Sequence, residues 1–241
     1  MTQPKFNQYV LRVLEAHPGE RICSFEYEGK KYWLKQAETL QGAMRVLKPN
    51  PQLALEKEKL TLEHLASRSA PVPRIVQADK GYFVVEDVGV TVREWLILKS
   101  QDKPGMQQIL NDSAAALAGL HSMGLAHGRP ALRDISWQQG QVTFIDFEAN
   151  QKGKDMLMQQ IRDLLVYIHS LYRYMGPANE AITQAIASYR QAGGEAIWRE
   201  AKSFLISWQW LYLLLRPFRD IGGRDLKPIY WVLWHFRNIP L

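Results

Sequence analysis

The 241-residue sequence predicts an α+β protein of two lobes. Three observations carry that prediction. Short alternating apolar runs of β type gather before residue 90. Helical periodicity dominates after it. A linker near residues 87–91 separates the two regimes, which sets an N-terminal lobe at 1–88 and a C-terminal lobe at 89–241. Strands segregated from helices in this way read as α+β rather than alternating α/β.

The elements follow in order. Phe6, Tyr9, Val10, Val13 and Leu14 have a helical period over residues 5–16, and His17-Pro18-Gly19 ends it. Residues 21–35 hold two β-type runs around Glu28-Gly29-Lys30, a hairpin. Residues 37–52 are mixed and read as a loop around Pro49-Asn50-Pro51, with a helix following over 53–67. Strands are expected at 74–78 and 81–88, then a short helix over 91–99 with Thr91 as its N-cap. Residues 106–123 form a strong helix with Leu110, Ala114, Leu117 and His121 on one face, and Gly124 stands where a C-terminal glycine belongs. A loop over 127–140 leads to a strand over 141–148, and everything after about 155 reads helical.

Composition excludes several classes. A chain 46% hydrophobic and 11% aromatic is too apolar for a disordered protein. The single cysteine, Cys23, leaves no disulfide framework and no thiolate zinc site. The first twenty residues lack a signal-peptide pattern, and no run of about 20 apolar residues is present to span a bilayer. A cytoplasmic protein is expected. Residues 204–215 (FLISWQWLYLLL) are apolar nearly all round, and the expectation is a buried helix, with an interfacial helix as the alternative.

The net charge is +6, and it is unevenly placed. Residues 151–241 carry 12 Lys/Arg against 7 Asp/Glu, together with five of the eight tryptophans. A basic, Trp-rich segment suits an anionic partner, a membrane surface or nucleic acid, and equally suits a helical subdomain with a Trp-filled core and a solvated basic rim.

Three charged positions break local pattern. Lys35 ends the strand Tyr32-Trp33-Leu34-Lys35, on the face of Trp33 and opposite Leu34. Glu58 falls on the helical stripe of Leu55, Leu62 and Leu65. A carboxylate on an apolar face needs a partner, and Lys35 is the candidate; an exposed Glu58 on a misread register is the alternative. Asp146 follows the apolar run Val142-Thr143-Phe144-Ile145, as a metal ligand, a catalytic group or a simple turn residue.

Taken in order, these residues resemble the protein-kinase-like superfamily. The pattern is the strand Lys35, the helix Glu58, a hinge strand Phe83-Val84-Val85-Glu86-Asp87, then LHSMGLAHG (Leu120–Gly128) and FIDFE (Phe144–Glu148). It is similar to aminoglycoside-phosphotransferase-like, RIO-like and lipopolysaccharide-core sugar kinases, over roughly residues 21–170. The resemblance implies a two-lobed kinase-like fold and phosphoryl transfer from ATP with Mg²⁺, by positioning and charge neutralisation. It implies that Lys35, held by Glu58, contacts the ATP phosphates and that Glu86 to Gly89, Val88 among them, form the adenine hinge. It implies that Asp146 and Asp134 bind Mg²⁺, and that His127 and Asp163 give structural support. For Asp163 a surface helix position is the alternative.

The sequence departs from the family pattern in two places. In His127-Gly128-Arg129-Pro130-Ala131-Leu132-Arg133-Asp134 the family's aspartate, two residues after the histidine, is Arg129. An arginine does not deprotonate in proteins, so it is no general base. It is suited to a phosphate or an acidic acceptor, with Asp134 left to take over substrate activation. No glycine-rich phosphate loop precedes Lys35, and no Ala-Pro-Glu motif follows Asp146. The expected function is therefore an ATP-dependent phosphotransferase on a saccharide, a glycolipid or another anionic non-protein acceptor, with peripheral contact to the inner face of an anionic membrane through the C-terminal region. A pseudokinase or binding module is the alternative. A nucleic-acid-binding protein is less expected, since no helix-turn-helix or finger pattern is present.

Overall fold

The structure is a computed structural model that describes residues 3–37, 50–99, 101–147, 155–177, 180–219, 221, 223 and 225–238. The chain divides into two units, Met1–Val88 and Gly89–Leu241. At the coarse level the protein is mixed α+β, with a small antiparallel sheet in the first unit and a mostly helical second unit.

In the first unit, α1 (Gln3–Ala16) precedes the hairpin β1 (Ile22–Tyr27) and β2 (Lys30–Gln36). Helix α2 (Pro51–Ser67) precedes a second hairpin, β3 (Ile75–Asp79) and β4 (Tyr82–Glu86). The strands pair antiparallel in the order β1-β2-β4-β3. Glu28 and Gly29 have positive φ (49° and 71°), the two-residue turn that matches strand twist. Alternation along β1, β2 and β4 sends Cys23, Phe25, Tyr32, Leu34, Tyr82 and Val84 to one face. There they close on Phe6, Val10 and Val13 of α1. Phe6 touches the rings of Phe25, Tyr27 and Tyr32 at centroid distances of 5.1–6.2 Å. Trp33 and Lys35 take the opposite face. Helix α2 begins two residues before the expected start because Asn50 caps it, accepting from the Gln52 N–H at 3.0 Å, with Pro51 in the first turn. Most of the expected 37–52 loop lies outside the described residues.

The second unit opens with α3 (Val92–Leu98), capped by a reciprocal Thr91–Glu94 box. Helix α4 (Lys103–Ser122) buries Leu110, Ala114, Leu117 and His121, and Gly124 follows it at φ 65°. Here the structure corrects the sequence reading. The expected loop over 127–140 contains a strand, β5 (Ile135–Gln138), paired antiparallel with β6 (Gln141–Phe144). Gln139 and Gly140 form the positive-φ turn between them. Strand β6 stops at Phe144, so Asp146 sits two residues beyond the strand in a left-handed conformation, φ 58°. Glu148 lies outside the described residues.

The remaining elements are α5 (Met156–Met175), α6 (Glu180–Tyr189), α7 (Glu195–Ile206), α8 (Gln209–Leu215) and α9 (Leu226–Asn238). Polar contacts lock them. Ser113 on α4 meets the Tyr167 hydroxyl of α5 at 2.7 Å, and the Tyr172 hydroxyl of α5 meets His235 Nδ1 of α9 at 2.7 Å. Trp198 of α7 is fully buried and stacks on Phe236 of α9 at 4.2 Å.

The expected buried helix over 204–215 is not what forms. The helix breaks at Ser207-Trp208, and Ile206, Trp210, Leu213 and Leu214 face outward. Helix α9 covers only one side of α8, through the Tyr212–Tyr230 ring stack at 4.9 Å. Of the five C-terminal tryptophans, Trp198 is buried, Trp208 and Trp210 are exposed, and Trp231 and Trp234 are half-buried.

Candidate functional site

In the first unit the sequence pairing of Lys35 with Glu58 is formed. Lys35 Nζ donates to Glu58 Oε1, and each side chain is about one-fifth exposed (21% and 22%). Strand alternation presents Lys35 on the face away from α1, and the helical period presents Glu58 on the side of Leu62 and Leu65. The ammonium also lies 5.9 Å from the Phe83 ring. A part-buried ammonium held by one carboxylate keeps two donors for an anionic ligand.

Glu86 and Val88 lie at the end of β4 and just beyond it. The Glu86 side chain is bound to the Arg74 guanidinium in a two-pronged pair that holds its carboxyl below the usual carboxylate range. Its backbone N–H donates to the Arg74 carbonyl at 3.1 Å. Asp87 accepts from the Trp33 indole N–H at 2.6 Å, tying the strand exit to β2.

The second unit gathers the other predicted residues around the 127–134 loop. Asp163 of α5 is fully buried and accepts hydrogen bonds from the backbone N–H groups of His127 and Gly128. It is no surface helix residue. His127 Nε2 donates to the Ile145 carbonyl at 2.9 Å, and the Arg129 N–H donates to His127 Nδ1 at 3.2 Å. These bonds fix the neutral Nε2–H tautomer, and burial pushes the imidazole below its ordinary value. Phe147 stacks on the same ring at 4.4 Å. His127 thus ties the loop to the chain on either side of Asp146.

Asp134 is buried, and its Oδ2 accepts no hydrogen bond. Burial raises its carboxyl to about 6, the Asp146 charge pushes the same way, and Arg133 and Arg129 oppose. The Ile145 N–H donates to the Asp134 carbonyl at 2.9 Å, which runs the two aspartate-bearing stretches side by side. Asp146 is half-exposed, with Arg129 Nη2 3.8 Å from its Oδ2.

Among the described residues no group of three or more His, Cys, Asp and Glu side chains is placed to hold a metal ion. Asp134 and Asp146 are carboxylates on and beside the 127–134 loop, and hard oxygen ligands of that kind suit Mg²⁺. The ion takes one or two protein carboxylates and completes its shell with water and phosphate oxygens. A buried carboxylate oxygen without a donor is the kind of ligand it satisfies.

Several supporting residues gave no signal in the sequence. Gln160 of α5 donates to the carbonyls of His121 and Leu125, pinning the Gly124 turn. Ser170 accepts the Leu132 N–H at 2.9 Å. His121, singled out only as a helix-face residue, bonds the Tyr189 hydroxyl at 2.8 Å and stands 3.5 Å from Asp163. A cavity of about 1000 Å³ opens beside Gly128, lined mainly by apolar side chains of α5, α7, α8 and α9, with Arg162 and His169 among them.

Fold and site define an α+β protein whose helical unit braces a loop carrying Arg129 and Asp134, with Asp146 just beyond the neighbouring strand β6. No protein-family model matches the chain. A Haemophilus influenzae protein described as "Uncharacterized protein" is 42% identical over 231 residues, 95% of this chain and 95% of that protein. The chain belongs to one family with it.

Proposed function

We propose that the protein is a kinase-like, ATP-dependent phosphotransferase acting on a saccharide or glycolipid acceptor. The observation that carries this reading is the Lys35–Glu58 ion pair, formed between a strand and a helix 23 residues apart. In this reading Glu58 aims the Lys35 ammonium, and Lys35 binds the nucleotide phosphates. Asp134 and Asp146 hold Mg²⁺, which neutralises phosphate charge when bound. Asp163 keeps the 127–134 loop in place through two backbone N–H groups. Asp134 is the carboxylate that takes over activation of the acceptor's hydroxyl in this reading. Arg129 binds the anionic acceptor, and the cavity beside Gly128 suits an acceptor with an apolar part.

Mg²⁺-dependent release of ADP from ATP tests the reading. Wild-type turnover, lost in Lys35→Met and in Asp146→Ala, is expected. A second reading, a nucleotide-binding pseudokinase, is favoured by Arg129 standing beside Asp146 where the family carries a carboxylate. ATP binding without turnover, unchanged by Asp146→Ala, selects it.

A further inference from the structure

A run of buried side chains joins the turn between α6 and α7 to the 127–134 loop. Tyr189 ends α6, and its hydroxyl meets His121 Nδ1 of α4 at 2.8 Å. The two rings stand edge to face, with centroids 5.8 Å apart. His121 Nε2 makes no hydrogen bond among the described residues, and Asp163 Oδ2 stands 3.5 Å from it. Asp163 in turn accepts from the His127 and Gly128 amides. Tyr189, His121 and Asp163 are all buried. The turn after Tyr189, Arg190–Gly194, is π-helical, with Gly193 at φ 108°. Turns of this kind recur at functional sites. Its two glycines allow close approach to α4 and to the Tyr189 ring. A Cβ on Gly194 would stand 2.2 Å from that ring, and one on Gly193 would stand 3.1 Å from the Oγ of Ser122, the neighbour of His121.

We propose that Tyr189 is a positioning residue for the 127–134 loop. Its hydroxyl donates to His121 Nδ1, which leaves the imidazole presenting an N–H, not a lone pair, to Asp163. The other neutral tautomer sends Nδ1–H to the phenol oxygen. It then aims the Nε2 lone pair at a carboxylate oxygen in a buried place, where repulsion is least screened. Burial first, and the Asp163 charge second, hold the Tyr189 hydroxyl above the usual phenol range, so it keeps the proton it donates. At 3.5 Å the His121 N–H acts on Asp163 through its field. Both carboxylate oxygens therefore stay with the His127 and Gly128 amides. The part the loop plays in turnover rests on the phosphotransfer reading. The tautomer of His121 and its effect on the loop do not.

The test is nitrogen NMR of the full chain labelled at histidine, together with amide hydrogen exchange. At about pH 8 His121 is expected to carry its single proton on Nε2. Tyr189→Phe removes the hydroxyl and keeps the ring. It is expected to move the His121 nitrogen shifts away from the Nε2–H pattern. It is also expected to speed exchange at the His127 and Gly128 amides about tenfold more than in the α4 core, roughly the loss of one buried hydrogen bond. Gly194→Ala, which drives a methyl into the Tyr189 ring, is expected to give the same two signatures. Tyr167→Phe is the control. It deletes another buried phenol hydroxyl, bonded to Ser113 at 2.7 Å, and is expected to move loop and core amides alike. A proton on Nδ1, or on both nitrogens, in the wild type overturns the proposal. So does a His121 pattern that Tyr189→Phe leaves unchanged, or loop amides that speed no more than the core. These readouts need no turnover, so failure of this inference and failure of the phosphotransfer reading are seen separately.

Discussion

The Arg129 guanidinium stands 3.8 Å from the Asp146 carboxylate. The sequence alone marked Arg129 as a lost carboxylate. The structure gives it a partner, and the partner is one of the two residues assigned to Mg²⁺. At this distance and exposure the ion pair is worth little, about 0.2–1 kcal/mol. Arg129→Ala therefore raises the apparent Mg²⁺ affinity only a few-fold, read from the metal dependence of turnover. Its larger effect is a raised KM for an anionic acceptor with kcat near the wild-type value. A normal KM with a collapsed kcat assigns Arg129 to the transferring phosphate instead.

Asp163 is predicted to act through the loop. Asp163→Asn keeps one acceptor oxygen and loses the other, so one of the His127 and Gly128 amides is left unbonded in a buried place. The expected cost is about 1–3 kcal/mol. Amide hydrogen exchange at His127 and Gly128 speeds by tenfold or more, ahead of exchange in the α4 core.

Asp134 sets stability against function. Its carboxyl is raised to about 6 from an ordinary 3.8. A raised acid favours the folded state while protonated, so stability falls as pH rises from about 4 to 6. Asp134→Asn removes that penalty and stabilises the metal-free protein at pH 7 by up to about 3 kcal/mol in urea titrations. The same change abolishes the stabilisation given by Mg²⁺ with ATP.

His235 responds to acid in the opposite sense. Burial lowers its imidazole to about 4 from 6.5. Above 6.5 both folded and unfolded states hold it neutral. As pH falls toward 4 the unfolded chain takes up the proton first, and stability drops by up to about 3 kcal/mol. In His235→Gln the slope of urea midpoint against pH over that window flattens.

Much of the N-terminal unit was legible because local signals agreed with tertiary burial. Period-2 alternation set the Tyr32/Leu34 and Trp33/Lys35 faces, and the helical stripe put Glu58 where Lys35 reaches it. Strand β5 was missed because Ile135-Ser136-Trp137-Gln138 is short, lies between turn residues and has no apolar run. The Gln139-Gly140 turn was the signal that marks it. Asp146 read as a strand residue because Phe144-Ile145 is apolar. The bond from the Ile145 N–H to the Asp134 carbonyl continues the β5–β6 register, and the extended backbone ends at Asp146, whose φ is 58°. The 204–215 segment misled for another reason. Hydrophobicity reports what a segment can bury, not which neighbour covers it, and α9 covers one side alone.

The central claim is that Lys35, Glu58, Asp134 and Asp146 bind Mg²⁺ and ATP, and thermal unfolding tests it most directly. With ATP a hundredfold above its dissociation constant, binding adds about 2.7 kcal/mol, which raises Tm by roughly 5 °C or more in a chain of this size. The account predicts that rise with Mg²⁺ present, a smaller one with chelator, and none in the variant carrying Lys35→Met and Asp146→Ala. An unchanged Tm at millimolar ATP and Mg²⁺ contradicts it.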